Sequence, residues 1–201
     1  MWISWLLAGF LVVVPQATRT FRVAADESEL EVQVGRAGLF KVFGHDHRIR
    51  IGAFTGTVEW NSEDPESSRF TLEVDPASLS VADEELDEED RAKVQADMET
   101  KALALSEHAT IGFTSTRVRV RDTRGEALRL ELEGILHLRG ERQPLEIPVT
   151  VELSGDRMTV SGEIELDSKR WGVPQISALG GSVKTKEKLK LTFEIVALAE
   201  P

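Results

Sequence analysis

The sequence predicts an all-β fold: an antiparallel barrel of about eight strands, with one helical segment near residues 83–104 as lid or flank. Three observations lead there. Apolar and polar residues alternate in run after run, the mark of strands with one buried face. Joints rich in Gly, Asp, Asn and Pro separate the runs, several at hairpin length. Only one stretch carries helical chemistry, and a single helix cannot cover an eight-stranded sheet, so the sheet closes on itself.

The chain begins with Trp2 to Val14, which is almost wholly apolar, and the first charged side chain is Arg19. Roughly thirteen apolar residues match a signal-peptide core and fall short of the ~20 needed to span a bilayer. Residues 1–17 therefore read as a signal peptide and 18–201 as the mature domain. Retention as a short membrane anchor is the alternative, because no Lys or Arg precedes the run and Pro15-Gln16-Ala17 is a poor small-x-small cleavage site.

Strand patterning starts at Phe21. Leu30, Val32 and Val34 alternate with Glu29, Glu31 and Gln33, and Val58 and Trp60 with Thr57, Glu59 and Asn61. Phe70, Leu72 and Val74 follow. The helical stretch, Asp83 to Ala104, holds no Gly or Pro and crowds acidic residues at its start, where a helix dipole favours them. Alternation resumes with Leu128, Leu130 and Leu132, then Ile147, Val149, Val151 and Leu153, then Val160, Ile164 and Leu166, and ends with Leu189, Leu191, Phe193 and Ile195. Asn61–Ser68, Asp122–Gly125, Gly140–Pro144 and Gly155-Asp156 supply the turns.

Bulk properties narrow the function. A length of 201 residues fits one domain with its own core. The absence of cysteine excludes disulfides, thiolate metal sites and a cysteine nucleophile. A formal net charge of −11 repels phosphate backbones and anionic lipid surfaces, so no nucleic-acid partner is expected.

Gly44-His45-Asp46-His47 is the densest titratable cluster. On a strand its two imidazoles share one face about 7 Å apart, as some zinc sites require. Further ligands would have to come from distant parts of the chain. A polar corner with hydrogen-bonded histidines satisfies the same residues, and no metal is assigned. The carboxylate run from Glu84 to Asp90 lacks the ligand spacing and central Gly of a calcium loop and reads as a solvated helix start. No Ser-His-acid arrangement or other catalytic motif is present, so the protein is read as a non-enzyme.

Several ordered marks resemble the YceI family. Phe54-Thr55-Gly56 is similar to its Gly-x-Phe-x-Gly region, and Asp75-Pro76-Ala77-Ser78-Leu79 to its Asp-x-x-Ser-Leu strand end. Ala109 to Ser115 resembles Pro-x-Ile-x-Phe-x-Ser, Gly134 to Gly140 resembles Gly-x-Leu-Thr-x-x-Gly, and Arg170-Trp171-Gly172-Val173 stands where the family has an Arg-x-x-Phe-Gly element. The match runs from Phe21 to Ala197. Ala109 replaces the frequent proline and His137 the threonine. The resemblance implies a lipocalin-like barrel that binds a polyisoprenoid-type lipid.

An eight-stranded barrel either fills with its own side chains or holds one small ligand. The inward parity, read with the resemblance, gives Val34, Phe40, Val58, Phe70, Leu72, Phe113, Leu130, Leu132, Leu136, Val149, Val151, Ile164, Leu191 and Phe193 as the expected cavity lining. His45, His47, Arg170 and Trp171 are the expected mouth. The expected partner is an apolar small molecule, an isoprenoid lipid or quinone, with no other cofactor and no integral membrane span. A homodimer is compatible with the sequence. With the leader read at residues 1–17, such a carrier is expected in the periplasm or outside the cell. The alternatives are a metal-binding protein using His45 and His47, and a filled barrel acting as an interaction module.

Overall fold

The computed structural model describes residues 18–38, 46–125, 127–178 and 182–200. Among them, twelve strands form one antiparallel sheet that closes into an eight-stave barrel. Five staves are single strands: β7 (Ile111–Arg124), β8 (Ala127–Leu138), β9 (Glu141–Ser154), β10 (Arg157–Asp167) and β12 (Val183–Ala199). The other three are broken in two. They are β1 (Thr18–Val23) with β2 (Glu29–Ala37), β3 (His47–Ile51) with β4 (Phe54–Asn61), and β5 (Arg69–Val74) with β6 (Leu79–Val81). A two-residue strand, β11 (Ser177–Ala178), adds to β12.

Each stave pairs with its sequence neighbour, and β12 closes the ring by pairing with both β1 and β2. Local chemistry sets the breaks. Pro76 has no N–H to donate, and the Asp75 carboxylate accepts from the Ala77 amide, so the chain turns there instead of continuing as strand. Between β1 and β2 the Ser28 hydroxyl replaces a ladder partner. It donates to the Ala24 carbonyl at 2.7 Å and accepts from the Val196 amide at 2.9 Å.

The barrel has one filled end and one hollow end. At the filled end Phe21, Met158 and Ala197 have no exposed surface, and Val118, Leu130 and Val151 have almost none. Each buried side chain of this size contributes about 1.5–3 kcal/mol, so this end dominates stability. At the other end a second, smaller cluster forms around Ile49, Leu79, Val81 and Leu86.

The helix α1 spans Glu88–Asp97 and runs into a π-helical turn, Met98–Ala102. It starts five residues later than the composition predicts. Asp87 caps it by accepting from the Asp90 amide, and Asp83 is committed elsewhere. Its Oδ1 accepts from the Arg48 amide and its Oδ2 lies 2.7 Å from His47 Nδ1.

Two gaps open at the hollow end. β6 pairs only with β3, which leaves its other edge without a strand. The Gln95 side chain covers it: Oε1 accepts from the Val81 amide at 2.9 Å and Nε2 donates to the Leu79 carbonyl at 2.8 Å. An amide side chain thus stands in for a missing peptide neighbour. The second gap lies between β9 and β10, whose pairing stops at Gly162 and Val149. The turn Ser168–Trp171 sits above it.

Candidate functional site

Between the two buried clusters lies a cavity of about 270 Å³. Strand alternation builds its walls. Leu30, Val32 and Val34 enter from β2, Ile49 and Ile51 from β3, Leu72 and Val74 from β5, and Leu189, Leu191 and Phe193 from β12. Met98, Ala102 and Leu103, at the end of the helical segment, form part of the lid, and Val173, Pro174 and Ile176 form the rim opposite. The lining is almost wholly apolar. Among the described residues, Thr71, Ser168, Thr185 and Lys186 are the only polar residues that border it, and Lys186 also borders the polar recess on the outer face.

Two glycines shape the floor. A Cβ on Gly134 would stand 2.4 Å from Phe113 Cζ, and one on Gly162 would stand 2.6 Å from Phe193 Cζ. Each phenyl ring therefore lies flat over a glycine instead of projecting into the space. A side chain at either position would lift a ring into the cavity.

Ten of the residues expected to line the interior do so: Val34, Val58, Phe70, Leu72, Phe113, Leu132, Leu136, Val149, Leu191 and Phe193. Leu130 and Val151 face the interior but pack in the filled end, each 1 % exposed, and Ile164 is buried in the wall without reaching the open space. Phe40 lies outside the described residues.

The expected mouth groups are dispersed. His45 lies outside the described residues. The His47 ring is held against the Asp83 carboxylate, in a broad polar recess beside Arg48 and Glu84 and away from the apolar lining. Trp171 is buried, and its indole N–H donates to the Leu136 carbonyl at 3.0 Å, so it acts as a plug rather than a mouth group. Arg170 stacks on that indole at 5.1 Å and donates to the Pro144 carbonyl, which turns it from the cavity. The described residues contain no group of three or more His, Asp or Glu positioned to hold a metal.

The lid residues escape the strand pattern. Met98 and Leu103 belong to the helical stretch, whose few apolar residues did mark a face that must be covered.

Comparison with known proteins gives a consistent picture. The YceI-like domain matches residues 21–197. Among solved structures, BcnA of Burkholderia cenocepacia superposes with a TM-score of 0.65 at 16% identity, covering 87% of this chain and 98% of its own. A polyisoprenoid binding domain from Saccharophagus degradans, implicated in plant cell wall breakdown, gives 0.64 at 13% identity, covering 92% and 100%. The YceI protein of Campylobacter jejuni gives 0.56 at 9% identity, covering 76% and 84%. No curated protein matches the sequence.

Proposed function

The chain belongs to the YceI-like domain family, and from that premise we propose that it carries or stores a long apolar lipid of isoprenoid type. The observation that carries this reading is the cavity of about 270 Å³ with its nearly unbroken apolar lining. A site with so few polar groups offers water too few partners, whereas a hydrocarbon needs none. An apolar tail burying roughly 300 Å² gains about 7.5 kcal/mol at ~25 cal/mol per Å², from which the cost of ordering the ligand is subtracted. Binding, rather than catalysis, is what such a lining does. The S. degradans domain, described as polyisoprenoid binding, supports the ligand class through its shared fold.

The proposal includes export to the periplasm or the exterior. Among the described residues the first strand is Thr18–Val23, directly after the segment read as a leader. No helix among the described residues is long and apolar enough to cross a membrane.

Native mass spectrometry of the purified protein, followed by organic extraction, tests the proposal. The expected result is a stoichiometric lipid that extraction removes and a labelled polyisoprenoid restores. A chain that carries no lipid and does not take up the labelled one after delipidation is not a carrier. Sequencing the N-terminus of the exported protein tests the leader, with Thr18 the expected first residue.

A further inference from the structure

A buried hydroxyl without a partner stands in the cavity wall. Among the described residues the buried polar side chains are Asn61, Ser68, Asp83, Ser115 and Ser168. The first four are engaged. The Ser68 hydroxyl accepts from the Asn61 amide, and the Ser115 hydroxyl accepts from the Phe70 amide. Asn61 Oδ1 accepts from the Glu63 and Asp64 amides, and the Asp83 carboxylate accepts from the Arg48 amide. Ser168 differs. Its backbone carbonyl accepts from the Val173 amide, but its hydroxyl has no hydrogen-bond partner among the described residues. Of the five, Ser168 alone borders the cavity. Two buried nitrogens, Trp60 Nε1 and Arg91 Nε, also lack a partner among the described residues, but neither residue borders the cavity.

Strand parity aims this side chain inward. On β10, Ile164 and Leu166 are buried and Glu165 and Asp167 are exposed, so Ser168 continues the inner row. It is 4 % exposed and shares the cavity wall with Leu166 and Val173. The turn that begins here does not need its hydroxyl. Asp167 is the cap, and its carboxylate accepts from the Lys169 amide.

The other polar residues of the lining are committed. The Thr71 hydroxyl is bonded to that of Thr57, and the Thr185 hydroxyl accepts from the Ile176 amide. Lys186 runs its stem across the outer side of Gly35 and borders the polar recess. A water molecule beside Ser168 would need several partners and would find one. Buried polar groups are hydrogen-bonded as a rule, and a bond left unmade is costly. A hydroxyl held free in an apolar wall is a place for an oxygen that arrives with the ligand.

From this geometry we infer that Ser168 is a specificity-determining residue of the cavity: its hydroxyl hydrogen-bonds a neutral oxygen, a carbonyl or hydroxyl, on the isoprenoid and selects that ligand over a hydrocarbon of the same skeleton. An ionised group at this depth is disfavoured, because no charged side chain among the described residues turns inward to offset its lost hydration. The inference rests on the carrier reading and adds the chemistry and the place of the ligand's polar atom.

The test compares farnesylacetone, a terpenoid ketone, with the hydrocarbon in which its carbonyl is replaced by methylene. Each competes against a fluorescent isoprenoid on the delipidated full-length protein. Ser168→Ala should weaken the ketone about two- to twelve-fold relative to the hydrocarbon, and Ser168→Thr, which keeps a hydroxyl, should retain the parent ratio. The ligand-free Ser168→Ala protein should melt no lower than the parent, since no bond within the protein is lost. A lower melting temperature would mark the serine as structural and overturn the inference. Infrared spectroscopy gives a reading that needs no variant. The carbonyl stretch of the ketone bound to the parent should lie below its frequency in a hydrocarbon solvent, and Ser168→Ala should return it to that value. An unshifted carbonyl in the parent, or an affinity ratio that Ser168→Ala leaves unchanged, overturns this inference alone. If neither probe binds the parent, the carrier reading fails and this inference falls with it.

Discussion

Replacing a leucine by tryptophan at Leu191 and, separately, at Leu130 distinguishes a hollow barrel end from a filled one. The two positions share chemistry and differ in surroundings. Leu130 is 1 % exposed and packs in the filled end, whereas Leu191 borders the cavity of about 270 Å³. At Leu130 an indole has nowhere to go, and overpacking of this kind costs about 1–3 kcal/mol. For a domain of this size each kcal/mol shifts Tm by about 2–4 °C, so Leu130→Trp should lower it by roughly 2–12 °C. At Leu191 the indole enters existing space, and the cost should stay below about 1 kcal/mol. Binding should change in the opposite order. An indole that displaces roughly 100 Å² of apolar ligand surface removes about 2.5 kcal/mol, about seventy-fold in Kd. The assays are thermal melting of the delipidated protein and titration with a labelled isoprenoid. Equal melting losses in the two variants, or undiminished affinity in Leu191→Trp, would refute the division of the barrel into filled and hollow ends.

Three further outcomes are expected. Gln95→Ala removes both hydrogen bonds that cover the β6 edge. At about 0.5–1.5 kcal/mol each, the Val81 amide should exchange with deuterium roughly five- to a hundred-fold faster, while the Met158 amide keeps its rate. An unchanged Val81 rate would show that α1 does not guard that edge. Asp83→Ala strips the acceptor from the Arg48 amide and from His47 and should cost about 1–3 kcal/mol in urea unfolding, with little further loss when His47→Gln is added. Fully additive losses would separate the two residues. Gly162→Ala places a methyl 2.6 Å from the Phe193 ring and 2.7 Å from the Pro148 carbonyl. It should lower both Tm and lipid affinity, and if neither changes the ring does not rest where described.

The staves were legible because alternation is a local property. Leu128 to Leu132 and Ile147 to Leu153 announce their faces without reference to any partner. Closure of the ring depends on β12 meeting β1 across most of the chain, and followed only from the shortage of helix. What escaped was decided by contacts distant in sequence. Asp83 looks like a helix start until Arg48 and His47 claim its carboxylate. Trp171 looks like a mouth residue until the parting of β9 and β10 opens a slot for its indole beneath the Leu136 carbonyl. Leu130 and Leu132 share a face, yet one meets a packed end and the other the cavity, because parity gives direction and not depth.

The side-chain cover on β6 also bears on self-association. Should α1 lift to admit a ligand, it would bare a strand edge, and bare edges recruit strands from other molecules. Here the template is short, since β6 runs only from Leu79 to Val81. A second chain would gain little ladder from docking there. The segment that follows carries Asp83, Glu84, Glu85, Asp87, Glu88, Glu89 and Asp90, so an incoming copy with the same segment would meet like charge at close range. In that event the dense acidic run would act as a gatekeeper against strand addition.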